Sequence, residues 1–311
     1  MTRIRNTVIQ FTLIRTVLNT MHRMVYPFLG VFQQGLGVSL PLISLAMTTR
    51  ALAGTFGPFL ASIADSRGRK VGMLAGLLLF IIGTGLVVAY PTFPIFMTTL
   101  ILTTTGKYIF DPSMQAFLGD RISYQRRDFV LAFTELSWSL GFIVGVPLMG
   151  FLIARNRWIA PFPLLTVLGL LGFFLLFRSI PSDSPPKNDR PNVLNNFILV
   201  FTYPPAITGF LMSMFVSAAN EFINLVFGIW LEDTLGLKIA MLGAVTAVIG
   251  FSELGGEALV ASFADRLGKS KAVALGLLLN CFAAIALPFT EGNLVGMVIG
   301  LFLFYITFEF T

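Results

Sequence analysis

Asp65-Ser66-Arg67-Gly68-Arg69-Lys70 and Asp265-Arg266-Leu267-Gly268-Lys269 stand 200 residues apart, each closing a long apolar stretch. Both follow a near-identical lead-in, Ala61-Ser62-Ile63-Ala64 and Ala261-Ser262-Phe263-Ala264. A charged loop of one design, repeated between pairs of hydrophobic segments, marks a duplicated bundle rather than one long fold.

Composition agrees. Hydrophobic residues make up 56% of the chain and charged residues 12%, far from the balance of a water-soluble domain. Lipid is the natural solvent for such a chain, and an all-α membrane protein follows. Ten apolar spans are legible, at roughly 8–34, 39–64, 71–89, 92–119, 129–153, 158–177, 204–231, 238–264, 271–289 and 293–311, each long enough to cross a core of about 30 Å. The first is no cleavable signal, because Arg15 and Arg23 interrupt it. The net charge of +6 is scattered through short loops, so a nucleic-acid partner is not expected. With the N-terminus inside, fourteen Lys and Arg residues fall on the cytosolic side and three, Arg155, Arg157 and Lys238, on the other. That bias predicts a cytosolic N-terminus in a cell membrane. The single cysteine, Cys281, excludes an intrachain disulfide and reads as a buried, inert thiol. No Cys/His cluster, phosphate-binding glycine loop or nucleophile triad is present, which argues against a metal, a cofactor, ATP-driven pumping and an enzyme.

The paired loops resemble the signature G-x-x-x-D-R-x-G-R-K that the major facilitator superfamily carries between the second and third helices of each half. Ala61 and Ala261 replace its first glycine, Ser66 its first arginine, and Lys269-Ser270 its final pair. The resemblance implies two six-helix halves, so ten of an expected twelve spans are present. The expected domains are an N-terminal half at 1–177, a proline-rich cytosolic linker at 178–194 and a four-helix, shortened C-terminal half at 195–311. It also implies gating roles for Asp65, Gly68, Arg69, Lys70, Asp265, Arg266, Gly268 and Lys269. In the family the loop Asp docks on a helix start in the opposite half, where a carboxylate meets the positive end of the helix. Asp265 would then face Asp128–Val130, and Asp65 an eleventh span beyond the ten.

Gly141, Gly145, Pro147 and Gly150 resemble the antiporter signature G-x-x-x-G-P-x-x-G-G, with Val146 as an extra residue. Small residues four apart allow close helix approach, and proline bends a helix. Phe110-Asp111-Pro112 through Arg126-Arg127 resembles the family's fourth helix and following loop, with Lys107 one turn from Asp111, which either pairs with it or is a substrate- or proton-binding residue.

Charge within hydrocarbon is costly without a purpose or a partner, so it points to a site. Arg23 and Arg50 lie at one depth, about 20 Å from the Gly37 turn at a helical rise of ~1.5 Å. Arg15 is expected to snorkel to the headgroups. In the second half Glu221, Glu253 and Glu257 are the matching acids, with Glu135 and Trp138 a further candidate pair. Such carboxylates can exchange protons, as coupling requires, or can be ion-pair partners for Arg23 and Arg50. His22 is a packing residue or a proton relay. The expected function is therefore proton-coupled export of small molecules by alternating access, by a monomer in the bilayer. The alternatives are uptake of an anionic metabolite through Arg23 and Arg50, or an inactive truncated membrane protein.

Overall fold

The structure, a computed structural model, describes residues 2–57, 59, 68–181 and 202–311, and contains no strand among them. Helix α1 (Thr2–Met24) resumes after a break as α2 (Leu29–Leu36), and α3 (Leu40–Thr55), α4 (Arg69–Ala89) and α5 (Phe93–Arg121) follow. Next, α6 (Tyr124–Leu140) passes through a π-helical turn (Gly141–Gly145) into α7 (Val146–Arg155), and α8 (Pro161–Ser179) comes after it. The chain then continues as α9 (Pro204–Leu235), α10 (Ile239–Leu267), α11 (Lys269–Ala286) with a 3₁₀ turn at Leu287–Thr290, and α12 (Leu294–Glu309).

Backbone conformation repeats along with the sequence. Gly68 (φ 103) precedes α4 and Gly268 (φ 84) precedes α11, both in a region that strains any residue with a Cβ. Gly37 and Gly236 end α2 and α9 in the left-handed conformation, at φ 65 and φ 59. Two pairs of glycines thus set the same turns at matching places in the duplication. Prolines sit in the first helical turn of α3, α5, α8 and α9, where a missing N–H leaves no bond unmade. Pro27 is different. It falls within what would be one long first helix, removes a bond to the Arg23 carbonyl, and breaks the helix between α1 and α2.

Helix fills most of the described part of the expected spans, and six stretches among the described residues meet the length and composition of a membrane span: α4, Phe129–Arg155, α8, α9, Ile239–Phe263 and Lys269–Thr290. The other four depart for visible reasons. The first is broken and carries Arg15 and Arg23; the second is described only in part; α5 contains Lys107 and Asp111; and α12 has 16 residues. The linker expected at 178–194 lies mostly outside the described residues. Exposed side chains such as Phe174, Phe177, Leu278, Phe282 and Ile285 form an apolar exterior that hydrocarbon tolerates and water does not, so the chain is an integral membrane protein.

Helices before residue 182 meet those after 201 chiefly toward the Gly37 and Gly236 turns. There a Cβ on Gly228 would sit 2.7 Å from the Pro27 backbone, and one on Gly243 would sit 3.6 Å from Gly150 Cα. Beside these contacts Phe32, Phe96, Trp158 and Phe162 form an aromatic cluster with centroids 5.2–6.4 Å apart. Toward the other end, residues 204–215 of α9 are mostly exposed, whereas Phe227, Gly228 and Leu231 are buried.

Candidate functional site

Arg23, in the last turn of α1, meets Glu253 in the middle of α10. Nη1 donates to Oε2 at 2.7 Å, and Nη2 pairs with Oε1 more closely still. Both side chains are almost fully buried, 4% and 2% exposed. The guanidinium lies over the rings of Trp138 (4.3 Å) and Phe142 (3.6 Å), and Nη1 also donates to the Trp138 carbonyl at 3.1 Å. A two-pronged bond, aromatic faces and exclusion of water each strengthen the attraction. The sequence offers Glu221, Glu253 and Glu257 alike as ion-pair partners for Arg23; that Glu253 is the one depends on how α10 packs against α6, the π turn and α7.

That packing is set by glycine. A Cβ on Gly250 of α10 would come 2.9 Å from the Ser139 carbonyl and one on Gly243 would come 3.3 Å from Pro147 Cα, while on the opposite face one on Gly145 would collide with Thr20 and one on Gly150 with Phe28. Val146 N–H bonds to the Gly141 carbonyl five residues back, so the segment widens into a π turn. A π turn absorbs one additional residue, which is how Val146 fits without turning Pro147 and Gly150 off their face.

Arg15 departs from expectation. It does not snorkel; it is 5% exposed, with Nε 3.2 Å from Asp111 Oδ1 and Nη1 2.8 Å from Glu135 Oε1. Lys107 pairs with the other oxygen of Asp111, so two cations and two carboxylates neutralise each other across α1, α5 and α6. Two acids nearby in the bundle offered Arg15 a better partner than headgroups farther along the helix.

Tyr26 was not singled out from sequence. It lies at the break between α1 and α2, and its hydroxyl stands 2.9 and 3.1 Å from the carboxylate oxygens of Glu221 on α9. Arg50 Nη2 donates to the same hydroxyl at 3.4 Å. Glu221 and Arg50 are thus brought to one phenol, while Glu257, one turn from Glu253, has no hydrogen bond or ion pair among the described residues. The ring of His22 packs beside Tyr26 and Trp138, at 6.3 and 5.9 Å, and its buried Nδ1 has no hydrogen-bond partner among the described residues.

Of the loop residues, Asp65 lies outside the described residues, as do the side chains of Asp265 and Asp128, so their docking is not placed. Lys70 Nζ donates to the carbonyls of Phe177 (2.7 Å) and Ile180 (2.6 Å), closing the C-terminal end of α8. Arg69 Nε lies 3.5 Å from Asp120 Oδ2. Arg266 and Lys269 are exposed, and so is Cys281, whose apolar neighbours point to a buried thiol but whose side of α11 faces outward.

The family model described as Major Facilitator Superfamily matches residues 11–311. The uncharacterized MFS-type transporter YceJ of Bacillus subtilis (strain 168) is 26% identical over 294 residues, covering 94% of this chain and 75% of that protein. The multi-drug resistance efflux pump PmrA homolog of Lactococcus lactis subsp. lactis (strain IL1403) is 23% identical over 286 residues, 87% of this chain and 69% of its own. Among solved structures, a bacterial homolog to human lysosomal transporter Spinster, inward-facing and occupied, aligns with a TM-score of 0.74 at 15% identity, over 99% of this chain and 73% of that one. A D-xylose-proton symporter aligns at 0.75 and 15%, over 99% and 80%. At such identities the structures speak for the fold.

Proposed function

The chain belongs to the Major Facilitator Superfamily, and from that membership we propose that it is a secondary transporter exporting small molecules in exchange for protons by alternating access. The observation that carries this reading is the Arg23–Glu253 pair. It joins α1 to α10 across the two sequence repeats, so it exists only while those helices are close. A proton on Glu253 discharges the pair and leaves Arg23 to find another partner, which converts proton entry into a bias between two packings. Resemblance to a multidrug efflux pump homolog supports the outward direction. Glu257, one turn away on α10, serves as the next proton station.

The end carrying the Gly68 and Gly268 loops is assigned to the cytosol by the fourteen-to-three excess of basic residues. The close packing at the Gly37 end then makes this the inward-open state, with 1–177 and 195–311 as the two moving halves. In that state Lys70 and Arg69 hold contacts on their own side, to α8 and Asp120, and the loop Asp residues close the cytosolic gate in the opposite state. In proteoliposomes an imposed pH gradient should drive exchange, and a protonophore should stop it. Glu253→Gln should uncouple movement from the gradient while solute exchange without a gradient persists. Gradient-driven exchange by Glu253→Gln at the wild-type rate would remove the proposal.

A further inference from the structure

Among the described residues, four basic side chains are buried within the helices: Arg15, Arg23, Arg50 and Lys107. Three of them meet a carboxylate directly. Arg50, 4% exposed, does not. Its Nη2 reaches Tyr26 Oη at 3.4 Å, its Nη1 reaches Met47 Sδ at 4.0 Å, and its Cζ lies 5.0 Å from the Tyr26 ring centroid. No Asp or Glu oxygen lies within ion-pair distance of it among the described residues; Glu221 is held on the far side of the Tyr26 hydroxyl.

We propose that Arg50 is the recognition point for a small organic monoanion, an aromatic or otherwise apolar carboxylate carried by the transporter. This deepens the reading above and rests on it. A guanidinium offers a planar fork of donors that matches a carboxylate, and here the fork is taken up by one phenol and one weakly accepting sulfur. A buried cation without its own counter-ion is stable only if a partner arrives. A guanidinium with no carboxylate in its fork suits a single negative charge; with Glu221 already across the Tyr26 hydroxyl, a phosphate dianion would leave an excess of negative charge in hydrocarbon. The arriving group also meets both repeats, since Arg50 comes from α3 and Glu221 from α9, joined through Tyr26 at the helix break.

The apolar part of the ligand has a surface ready for it. One turn beyond Arg50 on α3, Gly54 lies against the ring of Tyr108, where a Cβ would come within 2.9 Å of Cε2. The Tyr108 ring, 38% exposed, therefore flanks the same face of α3 as the guanidinium. Arg23 is the weaker candidate for an anion, because Glu253 already fills its fork.

The test uses the purified full chain in lipid nanodiscs, with benzoate, benzylammonium and benzamide as probes of one shape and three charges. Benzoate should bind saturably and the other two should not; Arg50→Gln should weaken benzoate by about tenfold or more, while Arg155→Gln leaves it unchanged. Because Arg50→Gln could disturb folding, a second measurement keeps Arg50 in place. In a Cys281→Ser background, benzoate should slow alkylation of Met47→Cys and benzylammonium should not. Equal binding of benzoate by Arg50→Gln, or protection of Met47→Cys by the cation alone, would overturn the site. Benzoate counterflow in proteoliposomes separates the two levels. Binding without counterflow leaves the anion site standing and counts against transport, whereas counterflow of a cationic solute with no benzoate binding does the reverse.

Discussion

Arg23 and Glu253 are 230 positions apart in the chain, yet they meet as an ion pair shut away from water. Replacing either alone strands a charge in a dry setting, so Glu253→Gln or Arg23→Met should lower stability by about 3–5 kcal/mol. The double change Arg23→Met/Glu253→Met should cost much less than the two single changes combined, because no unpaired charge remains. Denaturant unfolding of the four proteins in one detergent measures the coupling; additive losses would mean the pair is not an energetic unit. The sequence marks each partner as a charge within an apolar span, which is why both could be named as candidates. It does not mark the bond between them, because that depends on glycine contacts that bring α10 against α6 and α7. Tyr26 escaped notice for a different reason. A tyrosine in an apolar run is ordinary packing until a broken helix aims its hydroxyl at two charged groups.

At the scale of the element, the span from Tyr124 to Arg155 shows how a local irregularity preserves a face. Its glycines must keep facing α1 and α10, and the additional Val146 would turn everything beyond it by about 100° in a regular α-helix. The π turn takes up that residue, with Pro147 just beyond contributing no N–H to the ladder. Deleting Val146 should therefore restore an uninterrupted helix with Gly150 still against Gly243, and the protein should keep its wild-type unfolding temperature within a few degrees. Gly145→Leu should fail by contrast, since even a Cβ there collides with the Thr20 side chain. Thermal unfolding in detergent tests both; a deletion as damaging as the leucine would show that the π turn is required in itself. Some helix ends were legible to within a few residues, as at 71–89 against Arg69–Ala89, because proline and glycine punctuate the chain, whereas the first span, expected unbroken at 8–34, starts at Thr2 and breaks after Met24. The π turn was visible only as an awkward spacing, since nothing in side-chain chemistry separates an inserted residue from a different motif.

For the whole molecule, the duplication decides the architecture, and it shows in the backbone as well as in the sequence: Gly37 and Gly236 end equivalent helices, and Gly68 and Gly268 start them. Such a fold was legible because a membrane imposes length and charge rules on every span. The same rules give orientation a physical test. Ser123 precedes α6 beside Arg121, Arg126 and Arg127, while Asn156 follows α7 between Arg155 and Arg157. These positions are the two ends of a single span, Phe129–Arg155 with its first turn, so they lie on opposite faces of the bilayer if that span crosses it. Basic residues are retained on the cytosolic face because their transfer across the membrane is costly, and the larger basic cluster surrounds Ser123. In a Cys281→Ser background, Asn156→Cys should react with a membrane-impermeant maleimide added to intact cells, and Ser123→Cys only after permeabilisation. The reversed pattern would invert the topology and turn the closed end at Gly37 toward the cytosol. Labelling of both sites from outside would deny that the segment spans at all. Since the assignment of an inward-open state depends on which end is which, this measurement also fixes the side from which Arg50 and Glu253 are reached.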